Sequence, residues 1–305
     1  MANSSPIKIS DELKVKLRSL ADQYEVASFC DEDPSQFLRW YMPAEGRGTV
    51  ADVEAASFIA AMLAFGNRKQ FIPKVRGILE TSDRSLGSVS EWLKAGAYKK
   101  DFPHGEKKFY RFYSYDDMQI FFGELAEILK EAGSLGEYFR TKGGVVRSHS
   151  LTIEFESSKL LSNSRGQDRG LRGEAPRRKG STQRSAGAGE DLPLLHEIVS
   201  SSFPKSAIVP KGRTSANKRV HMFLRWMVRR GSAVDLGLWT WADPAGLLIP
   251  LDVHVMQEAI GLGLLPEGAV ASRKTAELLT TAMKEVFPGD PCRGDFALFG
   301  LGVDK

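Results

Sequence analysis

The sequence predicts an all-α fold, and three observations carry that prediction. Apolar residues recur at helical spacing in most segments, helix-capping residues stand where those patterns begin, and no stretch alternates apolar and polar residues cleanly enough to require a sheet. The first helix spans 10–25, opened by Ser10–Asp11, with Leu13, Val15 or Leu17, Leu20 and Ala21 at helical spacing. Asp31 to Pro34 reads as a turn. Residues 52–65 form a strongly apolar helix through Ala55, Phe58, Ile59, Met62 and Leu63, and Gly66-Asn67 ends it as a C-cap would. Helices follow at 70–81, 88–93 and 116–132, the last amphipathic through Met118, Ile120, Phe121, Leu125 and Ile128. Beyond them the pattern predicts helices at 192–202, 214–230, 252–262, 272–286 and 295–301, with a Trp/Gly/Pro-rich loop over 235–250.

Residues 157–191 interrupt this order. They are rich in Ser, Gly and Arg, poor in core formers, and carry eight Lys/Arg against four Asp/Glu. Such a segment buries too little apolar surface to offset its ordering entropy, which predicts a disordered basic insertion. It divides the chain into an N-terminal helical region, 1–156, and a C-terminal one, 192–305.

Composition excludes several classes. The chain has 305 residues, 42% hydrophobic and 26% charged, the balance of a globular protein with room for a sizeable core. No run approaches the roughly 18 apolar residues of a membrane span. The first eleven residues lack the apolar core of a signal peptide, which predicts a cytoplasmic protein, nuclear or organellar in a eukaryote. Two cysteines and five histidines show no metal-ligand spacing, so neither a metal nor another cofactor is expected. The net charge is +4, and residues 211–230 hold seven Lys/Arg and no acid. Basicity of that kind fits either a polyanion partner or a solvated helix face.

Three stretches hold candidate chemistry. In Pro210-Lys211-Gly212-Arg213-Thr214 a turn runs into the 214–230 helix, whose free N–H groups favour phosphate. Lys218 lies one turn in, on one face with Met222, Arg225 and Arg229. A lysine near a positive helix end and beside Arg219 suits a nucleophilic amine; a plain phosphate contact or a surface lysine is the simpler alternative. In Ile249-Pro250-Leu251-Asp252-Val253-His254, Asp252 opens a helix, where aspartate most often serves only as a cap. At the end of the 52–65 helix, Asn67 and Arg68 either cap it or face a ligand. His254 lies off the face of Asp252, and Trp226, Trp239 and Trp241 fit either the core or base stacking.

The combination of Pro-Leu-Asp-Val-His-Val (250–255), with Gly-Leu-Gly-Leu-Leu starting at Gly261, the turn and helix of 210–219, and the apolar helix ending at Asn67 resembles the helix-hairpin-helix DNA glycosylase superfamily, nearest to archaeal-type 8-oxoguanine glycosylases. Four longer stretches resemble a family without an assigned function: Ala-Phe-Gly-Asn-Arg (64–68), Met-Phe-Leu-Arg-Trp-Met-Val-Arg (222–229), Pro-Leu-Asp-Val-His-Val (250–255) and Asp-Phe-Ala-Leu-Phe-Gly-Leu-Gly (295–302). The glycosylase resemblance implies a two-lobed helical fold, a catalytic aspartate at Asp252, a Schiff-base lysine at Lys218 and a base-gap wedge at Asn67 and Arg68. It also implies phosphate contacts at Lys211, Gly212, Arg213, Arg225 and Arg229. The implied activity is excision of an oxidised purine such as 8-oxoguanine from double-stranded DNA, with a possible abasic-site lyase step, by a monomer. The hairpin departs from the superfamily pattern. Only Gly212 remains of its Gly-x-Gly, Thr214 aligns with the usual lysine, and 34 residues separate Lys218 from Asp252. A DNA- or RNA-binding protein without catalysis, or a helical interaction protein with no nucleic-acid role, are the alternative readings.

Overall fold

The computed structural model describes residues 9–43, 46–143 and 194–303. The described chain is mostly helical. It runs α1 (Asp11–Tyr24), two 3₁₀ turns (Ala27–Asp31 and Pro34–Arg39), α2 (Val50–Leu63), α3 (Arg68–Leu86), α4 (Val89–Lys94) and α5 (Tyr98–Asp101). A hairpin of β1 (Lys108–Tyr110) and β2 (Tyr113–Ser114) follows, then α6 (Tyr115–Ala132) and α7 (Leu135–Lys142). After the basic segment 157–191, which lies outside the described residues, come α8 (Leu195–Ser201), α9 (Lys218–Val228), α10 (Val253–Gly261), α11 (Arg273–Val286) and α12 (Gly294–Val303).

Capping residues set most of the helix starts. Ser10, Thr49, Ser88, Ser114, Ser134, Asp252 and Ser272 each accept a first-turn backbone N–H with their side chains. Thr49 and Ser114 form full capping boxes with Asp52 and Asp117. The helix predicted over 214–230 starts later, at Lys218. Asn217 before it has φ +43°, a left-handed geometry that helix interiors exclude. The sequence reading also misses α5, α7, the 3₁₀ turns, including two more at Pro244–Gly246 and Pro291–Arg293, and the hairpin.

Helix α2 organises the molecule. Every residue from Asp52 to Leu63 is buried, as expected of a helix that is apolar all round. It packs against α9, α3, α4, α7 and the second 3₁₀ turn, while α12 packs against α1 and α10. One continuous cluster of buried side chains runs from Ile9 to Leu298, so the regions on either side of 157–191 share a core. Two buried carboxylates stitch these regions together. Glu54 of α2 accepts from Trp239 Nε1 (2.7 Å) and Gly136 N (3.0 Å), and Glu124 of α6 accepts from Lys205 N and Ser206 N (2.8 and 2.9 Å). Each carboxylate thereby satisfies two backbone or indole donors that burial would otherwise leave unpaired.

Candidate active-site cleft

The starts of α9 and α10 meet at a cleft of about 1470 Å³. Its walls also include the loop between α2 and α3, the first 3₁₀ turn and α12. Asp252 is the N-cap of α10. Its Oδ1 accepts from Val255 N at 2.9 Å, and its Oδ2 accepts from Lys218 Nζ at 2.6 Å. The cap bond therefore fixes the carboxylate and leaves the second oxygen aimed at the lysine. Lys218 is the first residue of α9, and both side chains are about one-third exposed in the cleft. Burial opposes ionisation of Asp252. The adjacent Lys218 ammonium, its hydrogen bond and the Val255 N–H outweigh burial and hold the carboxyl below its usual range.

Asn217 sets the position of Lys218. Its left-handed backbone turns the chain into α9, and its Nδ2 donates to Gly212 O at 2.8 Å. Gly212 is needed at that point because a Cβ there would lie 2.8 Å from the Ser215 Cβ. Residues 211–217 are thus an irregular loop rather than a tight hairpin opening a helix. Lys211, Gly212 and Arg213 are exposed on it, and Lys211 Nζ donates to Ser206 O.

Two of the residues expected to contact DNA are placed elsewhere. Arg225 and Arg229 are only 3% and 1% exposed. Arg225 donates to Asp295 and Asp235. Arg229 is bonded to Glu25, Asp235 and Asp290. Both guanidiniums are consumed by buried carboxylates and cannot reach phosphates. The sequence spacing puts both on one face with Lys218 and Met222; in the structure Arg225 and the C-cap Arg229 meet a shell of acids instead of solvent. Asn67 and Arg68 are exposed at the cleft edge. Asn67 is not the C-cap of α2: it caps α3 by accepting from Lys69 N at 2.9 Å, and Gly66 (φ +79°) makes the turn. Arg68 lies 3.6 Å from Asp33 and 5.2 Å from the Phe299 ring centre.

Several cleft residues escaped the sequence reading. Asp295, at the start of α12, lines the cleft together with Lys218 and Asp252. Burial, helped by the nearby Asp252 and Asp235 carboxylates, pushes it up to about 6 against the pull of Arg225 and Lys218. The 295–302 stretch was distinctive in sequence, but nothing in its spacing singled out the aspartate. Arg219 lines the cleft with its guanidinium 4.8 Å from the Phe65 ring centre. His254 is exposed, while Trp226 and Trp239 are fully packed in the core. Trp241 stacks on Trp239 at 5.4 Å. Among the described residues, no group of three or more His, Cys, Asp or Glu is arranged to hold a metal ion, and no helix is long and apolar enough to cross a membrane.

Fold and site together define a mostly helical protein with a single shared core and a Lys–Asp pair opening onto a broad cleft. The chain belongs to the family described as a protein of unknown function, DUF2400, whose model matches residues 33–304. No curated protein and no solved structure matches the chain.

Proposed function

We propose that the protein excises a damaged base from DNA, with Lys218 as nucleophile and Asp252 as its partner carboxylate. One observation carries this reading: residues 34 apart in sequence are brought to 2.6 Å at the wall of a cleft large enough for an extruded nucleotide. Base excision requires the nucleotide to leave the stack, because C1′ is shielded within the duplex. Lys218 first gives its ammonium proton to Asp252, and the free amine then attacks C1′ and forms a C–N bond as the glycosidic bond breaks. The bonding pair leaves with the base. The proton released by the amine passes through Asp252 to the departing base, and the Asp252 carboxylate offsets positive charge developing on the sugar. Opening of the sugar ring gives the Schiff base from which a lyase step would proceed. Asn67 and Arg68 at the cleft edge are suited to fill the gap left in the duplex. Lys211 and Arg213, exposed on the loop before α9, are suited to phosphate.

The test is release of free base from a duplex containing 8-oxoguanine, with other oxidised purines in parallel. Wild type should release base, and Lys218→Gln and Asp252→Asn should each lower the rate by at least a hundredfold. The Lys218–Asp252 ion pair also joins two helix starts, and a DNA-binding protein without excision would use it as a bridge alone. DNA affinity in the wild type without release of any base identifies that case.

A further inference from the structure

The β1–β2 hairpin plays no part in the Lys218–Asp252 chemistry, and its tip is an unusual choice of residues. Tyr110 pairs with Tyr113, so Arg111 and Phe112 form a two-residue turn. Turns of this kind favour glycine or asparagine where φ is positive. Arg111 occupies such a position at φ +51°. Beside it the apolar Phe112 is 59% exposed. A chain under pressure only to close a hairpin with positive φ at its first turn position would place glycine there. Keeping a strained arginine and a solvent-facing phenylalanine points to a requirement for those side chains.

The tip packs beside the cleft wall at Phe65 and Gly66. A Cβ built on Gly66 would lie 2.6 Å from Arg111 Nη1, so the turn is closely packed against the loop that presents Asn67. Phe65, in the cleft wall, has its ring 5.4 Å from Phe112 and 5.0 Å from Tyr110. The guanidiniums of Arg111 and Arg219 lie 5.9 and 4.8 Å from that same ring. Lys108 Nζ donates to Phe112 O at 3.0 Å, which places a third cation on the turn. The result is a basic and aromatic patch next to the cleft wall. Asp31, Glu32 and Asp33, from the turns before α2, line a different part of the cleft, where Asp33 lies 3.6 Å from Arg68. A polyanionic backbone is drawn along the basic patch and repelled from the acidic part.

We infer that the hairpin tip is a DNA-docking element, in which Phe112 stacks on an unstacked base while Arg111 and Lys108 hold the flanking phosphates. The inference rests on the reading of the protein as one that acts on DNA, and it does not require excision. Base–aromatic stacking and phosphate neutralisation have separable signatures, one insensitive to salt and one set by it.

The experiment is a fluorescence anisotropy titration of the full chain against a duplex carrying a tetrahydrofuran abasic analogue, between 50 and 200 mM salt. Phe112→Ser should weaken binding about tenfold with an unchanged salt slope. Arg111→Gly should reduce the slope of log K against log salt by about 0.9. Its unfolding midpoint should not fall, because glycine suits the positive φ. That opposite pairing separates lost docking from lost folding. If wild type binds and both variants bind as it does, the hairpin is not a docking element, and the excision reading is untouched. Wild type without salt-dependent affinity for DNA overturns both. Docking lost in the variants, in a wild type that releases no base, supports the hairpin and removes only excision.

Discussion

At the scale of single residues, each oxygen of Asp252 has one task. Oδ1 caps α10 and Oδ2 holds Lys218. Asparagine caps helices as well as aspartate does. Asp252→Asn should therefore leave stability within about 1 kcal/mol of wild type. Asp252→Ala should lose about 1 kcal/mol through the missing cap, measured by urea denaturation. If Asp252→Asn proves the more damaging of the two, the carboxylate matters to folding through its charge, and its place in the chemistry loses its main support. Arg229 is the contrasting residue. It faces Glu25, Asp235 and Asp290 in the interior. Arg229→Ala should cost roughly 3–5 kcal/mol, because it leaves buried carboxylates unpaired. An exposed phosphate-binding arginine would cost almost nothing in the absence of DNA, so the same denaturation experiment distinguishes the two roles.

At the scale of elements, close approach at the start of α7 joins the halves of the core. Gly136 presents its N–H to Glu54, and a Cβ there would come within 2.6 Å of both Glu54 Oε1 and Trp239 Nε1. Gly136→Ala should destabilise the fold by about 1–3 kcal/mol, by overpacking and by disturbing the buried Glu54 bonds. An unchanged unfolding midpoint would show that the stitch between α2, α7 and Trp239 contributes little. Long helices were legible in sequence where apolar period and caps agreed, as at Ser10 and Ser272. The start of α9 was not. Thr214 and Ser215 look like caps, but the left-handed backbone of Asn217 and its bond to Gly212 O keep the chain turning there. The hairpin was missed because strands of three and two residues leave too short an alternation to read. The candidate pair itself was visible as two residue types at helix starts. The acids around Arg225 and Arg229 were not, because Glu25, Asp235 and the neighbouring Asp290 and Asp295 come from three separate places in the chain.

At the scale of the whole molecule, buried ionisable groups set opposing pH dependences. His221 of α9 faces His196 of α8 with ring centres 4.7 Å apart. Burial, reinforced by His196 and Arg273, pushes His221 down to about 3, and His196 is lowered as well, chiefly by burial. A depressed histidine contributes stability that is present above its unfolded value near 6.5 and is lost as pH falls toward 3. Asp295 acts in the other direction. Raised to about 6, it contributes stability that is full below about 3.8 and is lost as pH rises through 6. The two contributions are each on the order of 3–5 kcal/mol and oppose one another between pH 4 and 6. The His221 and Asp295 contributions therefore partly cancel across that window. His221→Phe should make stability fall with rising pH there, and Asp295→Asn should make it rise more steeply. Parallel pH profiles for all three proteins, from thermal or urea unfolding, would show that neither group is held as described.

The central claim is that Lys218 and Asp252 act together on a sugar carbon of DNA. Its most direct test is borohydride trapping of the full-length protein on a duplex containing 8-oxoguanine or an abasic site, with the adduct mapped by peptide mass. The account predicts a covalent adduct at Lys218 that Lys218→Gln abolishes and Asp252→Asn strongly diminishes. An adduct at another lysine, or none on any damaged duplex that the protein binds, would contradict it.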